Sequence, residues 1–84
     1  MGKINKLVLD VVKPQEPGIV EFARELEGLK GVDKVDIVLK EVDRKVENVH
    51  ITVEGDGMDA NEIMNTIEKM GASIQNTVEV SAGK

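Results

Sequence analysis

Apolar positions recur with two different periods along these 84 residues, and the switches between them mark six elements. Leu7-Val8-Leu9-Asp10-Val11-Val12 is an almost unbroken aliphatic run, the pattern of a strand set in the interior of a sheet. This first strand is predicted over Lys3–Val12. Pro14 ends it by removing a ladder donor, and Pro17 presets the first turn of a helix. Ile19, Phe22, Ala23, Leu26 and Leu29 then share one helical face, opened by Pro17-Gly18 and closed at Gly28 or Gly31. Period two returns in Lys34–Val42, where Val35, Ile37 and Leu39 alternate with Asp36, Val38 and Lys40. Asp43-Arg44-Lys45 reads as a polar turn, and Val46–Glu54 alternates Val49, Ile51 and Val53 with Asn48, His50 and Thr52. Gly55-Asp56-Gly57 breaks that strand. Asp59 with Glu62 three residues on forms a capping box before a helix bearing Ile63, Met64, Ile67 and Met70. Gly71 stops it, Ser73–Val80 is the fourth strand, and Ser81–Lys84 reads as a loose tail of the single domain 1–84.

Strand–helix–strand–strand–helix–strand with right-handed crossovers interleaves the two halves. The expected fold is α+β: a ferredoxin-like sandwich with a four-stranded antiparallel sheet, order 4-1-3-2, and both helices on one face. An apolar face requires Leu39 beside Val49, Ile37 beside Ile51 and Val35 beside Val53. A three-residue turn would extend that register to Val42 opposite Val46 and Glu41 opposite Glu47. The helix-covered face would then hold Leu7, Leu9, Val11, these six residues, Ile74, Val78 and Val80. The other face would show Val8, Asp10, Val12, Val38, Lys40, Val42, Val46, Asn48, His50 and Thr52.

Composition narrows the function classes. A chain this short buries only about 60% of its unfolded surface, so assembly is a natural source of added stability. There is no cysteine, which excludes disulfides, thiolate zinc sites and thiol catalysis. A net charge of −5 argues against phosphate-backbone binding, and Phe22 as the one aromatic residue leaves no base-stacking platform. No signal-like stretch opens the sequence and no apolar run approaches the roughly 20 residues of a membrane span, so a cytoplasmic setting without membrane or nucleic-acid partners is expected.

Three places carry candidate chemistry. Opposed Glu41 and Glu47, with Asp43 in the turn, need neutralising. Lys13, Arg44 and Lys45 do this if the corner is a solvated rim; calcium or magnesium would do it if the corner is a hard-cation site. An enzyme's carboxylate pair is the third reading, but no nucleophile or base stands at a recognised spacing. The second place is the valine-rich uncovered face, a candidate homo-oligomer interface built from Val8, Asp10, Val12, Val38, Lys40, Val42, Asn48 and His50. There Asp10, Lys40 and Asn48 are expected in one row, as an ion pair bridged by the amide. His50, on a diagonal from Asp10, reads as a surface histidine, too little for a transition-metal site. The third place, Gly55–Glu62, is oxygen-rich, but a turn and a helix cap explain it and the spacing is not an EF-hand's. Met58, Met64 and Met70 read as core or interface filling.

Leu7-Val-Leu-Asp10-Val-Val-Lys13-Pro14-Gln-Glu16-Pro17, Glu41-Val-Asp43-Arg-Lys-Val-Glu47-Asn48-Val, Gly71-Ala-Ser73-Ile74 and Glu79-Val80-Ser-Ala82-Gly83 together make the chain resemble the archaeal domain-of-unknown-function family 211. The resemblance spans essentially the whole chain and implies the same fold, a prokaryotic cytoplasmic setting and a multimer, a ring being one form. It implies no enzyme activity. Val78 stands where the family carries an acidic residue, which weakens any acidic site using that position. The leading expectation is a non-enzymatic, self-associating binding or scaffold protein, with the Glu41/Asp43/Glu47 corner as its cation site and no other cofactor. The alternative is a small-molecule regulatory module resembling ACT domains, whose ligand loop follows the first strand with a Pro-Gly like Pro17-Gly18. Acylphosphatase-like catalysis ranks last, because the loop after that strand offers Lys13 and no arginine.

Overall fold

The computed structural model describes residues 3–83 and folds them as β1 (Lys3–Pro14), α1 (Ile19–Glu27), β2 (Val32–Asp43), β3 (Val46–Met58), α2 (Ala60–Lys69) and β4 (Ser73–Gly83). The four strands form one antiparallel sheet in the order β2-β3-β1-β4, the expected order read from the other edge. The fold is the ferredoxin-like α+β sandwich. No helix among the described residues is long and apolar enough to cross a membrane.

β1 is paired along both edges, and the alternation of its side chains places the core. Leu7, Leu9 and Val11 point at the helices together with Val49, Ile51 and Val53, and all six are buried. Phe22 and Leu26 of α1 and Ile63 and Ile67 of α2 close over them. Each such side chain, fully withdrawn from water, contributes about 1.5–3 kcal/mol before conformational entropy is counted. Met58 joins this core, and Met64 and Met70 pack against it.

Several boundaries differ from the sequence reading. Pro17 stands two residues before the helix: Gly18 is the N-cap, and its carbonyl accepts from Phe22 N at 3.0 Å. Asp59 caps α2 through Oδ1, which accepts from Asn61 N and Glu62 N. β4 continues through Ser81, Ala82 and Gly83, with Gly83 opposite Lys3, so the expected loose tail is paired strand up to the last described residue. β3 likewise runs past Glu54, through Gly55-Asp56-Gly57 to Met58. There Asp56 N donates to Gly31 O at 2.9 Å, which ties the end of the β3 ladder to the turn after α1.

Two features set what the helices leave bare. Strands of 11 to 13 residues span roughly 40 Å, whereas helices of nine and ten residues span about 15 Å. Each helix also runs diagonally: α1 leaves the Pro14 end of β1 and delivers the chain to the opposite end of the sheet at Val32, and α2 makes the reverse crossing from Met58 to Ser73. One corner of each outer strand is thereby uncovered. Leu39 and Val42 are exposed at the β2 corner and Val78 and Val80 at the β4 corner, although Leu39, Val78 and Val80 were expected under the helices. Val78 has also left that face's alternation, as the residue inserted between Thr77, opposite Leu9, and Glu79, opposite Val8.

At Gly55 the main chain of the turn comes so close that a Cβ would lie 1.9 Å from Gly31 O. Gly55→Ala should therefore lower unfolding stability by about 2–3 kcal/mol through forced displacement of the Gly31 turn, read as a lower denaturant midpoint at unchanged slope.

Candidate functional site

The acidic corner depends on how β2 and β3 pair near their hairpin. Val35, Ile37 and Leu39 lie opposite Val53, Ile51 and Val49, as the apolar pattern requires. Beyond Leu39 the ladder shifts by one: Glu41 faces Asn48, Val42 faces Glu47, and Asp43 faces Val46 across a two-residue Arg44-Lys45 turn. Arg44 takes the positive φ of 55° that this tight turn needs. The expected opposition of Glu41 to Glu47 and of Val42 to Val46 is therefore overturned by a β-bulge at Lys40. Glu41 goes to the uncovered face with Asn48, while Glu47 stays on the helix side. Among the described residues no group of three His, Asp or Glu side chains is placed to hold a metal ion. The carboxylates expected to form a calcium or magnesium site do not converge.

Glu47 has a different partner. Lys13 continues the inward phase of Leu7, Leu9 and Val11, lies opposite Glu47, and is completely buried. Its Nζ donates to Glu47 Oε1 at 2.8 Å and to Pro14 O at 2.7 Å, and it sits 5.1 Å from the centroid of the Phe22 ring. A lysine is tolerated here because acceptors and an aromatic face replace its water. The same phase that identified the core leucines could have identified Lys13 as inward-facing.

The uncovered face carries the second cluster. Val38, His50, Asp10 and Asn76 form one row across all four strands. His50 Nδ1 lies 2.9 Å from Asp10 Oδ1; an ionised carboxylate only accepts, so Nδ1 carries the proton of this bond. Asp10 is thus directly opposite His50, where the sequence reading had a diagonal, and its side-chain bond is with His50 where a Lys40 ion pair was expected. Val8 is buried within a single chain, beside the Lys6–Glu79 ion pair of 3.4 Å, and so is withdrawn from the expected interface. Val12, Asn48 and His50 are half-buried and Lys40 is exposed on this face; Val42 has moved to the other side by register.

Next to the Asp10 row the sheet surface is hollowed. A cavity of about 330 Å³ is lined by Asp10, Lys40, Asn48, Gln75 and Asn76, over the main chain of the buried pair Val11 and Val49. Its two flanks are both bulges. Lys40 is the extra residue between Leu39 and Glu41 in β2, and Gln75 the extra residue between Ile74 and Asn76 in β4. Both insertions occur at one cross-strand row, Leu39–Val49–Val11–Ile74, one on each side of the central pair. A bulge re-aims a side chain that strict alternation would place elsewhere. Gln75 and Asn76 escaped the sequence reading because a short polar run in an outer strand gives no phase.

The Lys13 pair is testable by stability. Glu47→Gln leaves a fully buried ammonium without its counter-charge and should cost about 3 kcal/mol, whereas Lys13→Met combined with Glu47→Leu should recover most of that loss. Denaturant unfolding of the single and double variants reads the difference.

The sequence matches the model of a protein family described as "Uncharacterized ArCR", domain-of-unknown-function family 211, over residues 5–84. It is also 43% identical over 84 residues to an uncharacterized protein of the archaeon Methanocaldococcus jannaschii, an alignment covering 100% of this chain and 87% of that relative. Its match to the family model is nearly end to end, and the relative aligns along the full length of the sheet and both helices: this chain is a member of domain-of-unknown-function family 211.

Proposed function

We propose that the protein is a non-enzymatic binding protein whose copies associate through the β2–β3 hairpin corner. One observation carries this reading: the corner exposes aliphatic side chains on both surfaces of the sheet. Leu39 (42% exposed) and Val42 (57%) lie on the helix side, and Val38 (52%) and Val46 (38%) on the other. A corner apolar on both sides is unusual for an isolated small domain and suits insertion against a second chain. The β4 corner, with Val78 and Val80 each half-exposed, is a second apolar surface at the diagonal end of the same sheet. A β2 corner seated on a neighbour's β4 corner is a heterologous contact, the geometry that closes into rings when the rotation permits.

What supports the non-enzymatic part is the closure of Lys13, the cation at the end of β1, which is bonded to Glu47 and Pro14. The net charge of −5 and the burial of Phe22 weigh against nucleic acid. The regulatory reading gains an observation of its own in the polar hollow, although that hollow lies on the sheet face away from Pro17-Gly18, where an ACT-like site would be sought.

Light scattering coupled to size exclusion tests the assembly. A multimer is expected at micromolar concentration, and Leu39→Lys with Val42→Lys should yield a folded monomer with unchanged far-ultraviolet circular dichroism. A wild-type chain that elutes as a monomer throughout that range overturns the proposal.

A further inference from the structure

We infer that the hollow between the two bulges is a binding site for a small zwitterion, an α-amino acid with a short polar side chain. This goes beyond the assembly reading and is independent of it, because a single chain supplies every lining side chain.

The inference rests on unused polar groups brought to one place. Lys40 makes no ion pair and no side-chain hydrogen bond among the described residues. Asp10 is held by His50 through Oδ1 alone, which leaves Oδ2 without a protein partner among those residues. The carboxamides of Asn48 and Asn76 make no hydrogen bond there either, and Gln75 makes only one, from Nε2 to Ser73 Oγ at 3.0 Å. One cation, one anion and three amides therefore surround a hollow of about 330 Å³, near the lower end of small-ligand pockets. Gln75 reaches it as the residue inserted in β4, whereas Lys40, inserted in β2, keeps the open side that strict alternation also gave it.

The chemistry selects among ligands. A metal cation would meet the Lys40 ammonium and a single carboxylate, too few hard ligands to hold it. A simple anion would meet Asp10. A nucleobase or sugar ring would find no aromatic face, since Phe22 is buried on the far side of the sheet. A zwitterion satisfies both charges together: its carboxylate takes Lys40 and its ammonium takes Asp10, which the His50 bond holds in place. The three amides then accept and donate to a polar side chain, a glutamine or asparagine carboxamide above all.

Titration calorimetry with free glutamine, asparagine, serine and leucine on the intact protein tests this. Saturable heat is expected for the polar amino acids, and N-acetyl-glutamine and glutamine amide, each missing one charge, should bind about tenfold more weakly. Lys40→Met and Asp10→Asn should each weaken glutamine by a similar factor while leaving the oligomer size unchanged. In wild-type protein, glutamine should shift the side-chain amide resonances of Asn48, Gln75 and Asn76, a readout independent of either variant's folding. No shift at near-saturating glutamine, equal binding of the capped derivatives, or equal binding of inorganic sulfate would each overturn the proposal. Loss of assembly with retained glutamine binding would count against the oligomer alone.

Discussion

The pairing of β1 with β3 from Lys6 to Pro14 is the constraint around which this molecule is arranged. From Lys6 opposite Glu54 to Pro14 opposite Val46 the two central strands keep one register, without an inserted residue. Their main-chain groups are enclosed on both edges, so any irregularity there would strand a buried donor or acceptor. Apart from a shift at Ile4/Lys6 near one end of β1, the mismatch among strands of unequal length and twist falls on β2 and β4, whose outer edges face water. Lys40, Gln75 and Val78 are the residues so displaced. An outer strand can leave one residue unpaired because solvent takes its hydrogen bonds.

That division of labour explains where chemistry collects. A perfectly alternating β2 would have placed Glu41 against Glu47 beneath the helices, with two carboxylates competing for one cation. The Lys40 bulge sends Glu41 to the other surface and leaves Glu47 to Lys13. The Lys13 ammonium is then enclosed by Glu47, the Pro14 carbonyl and the Phe22 ring. The bulge at Gln75 adds an amide to the Lys40 ammonium beside Asp10 on the exposed face. One displaced residue in β2 thus breaks up the acidic pair on one side of the sheet, and a second in β4 adds to the polar row on the other.

The helices shape the molecule by what they do not reach. Short and diagonal, they seal the centre of one face and abandon a corner of each outer strand. The valines expected on the open face were anticipated as a continuous plane, but Val8 is closed off within the chain by its polar neighbours. The bare aliphatics lie instead around the hairpin and at the far end of β4. Surface available to another copy is therefore set by helix length and crossing direction more than by the composition of any one strand.

Periodicity by itself determined the six elements, their sheet order, the inward set Leu7, Leu9, Val11, Val49, Ile51 and Val53, and the register from Val35 to Leu39. In those stretches a slip of one residue exposes every aliphatic side chain, so hydrophobic burial admits a single answer. The sequence was silent where that penalty vanishes. Lys40 and Glu41 are both polar, and Gln75 and Asn76 are both amides, so a one-residue shift costs little in burial and the local pattern carries no preference. Strand twist, the tight Arg44-Lys45 turn and the partner strand's fixed register decided those positions. The Lys13–Glu47 and His50–Asp10 bonds follow from the β1–β3 register, and the hollow beside Asp10 follows from that choice. Only the tertiary structure could make it, because each contact joins residues from strands that meet at the sheet and nowhere along the chain.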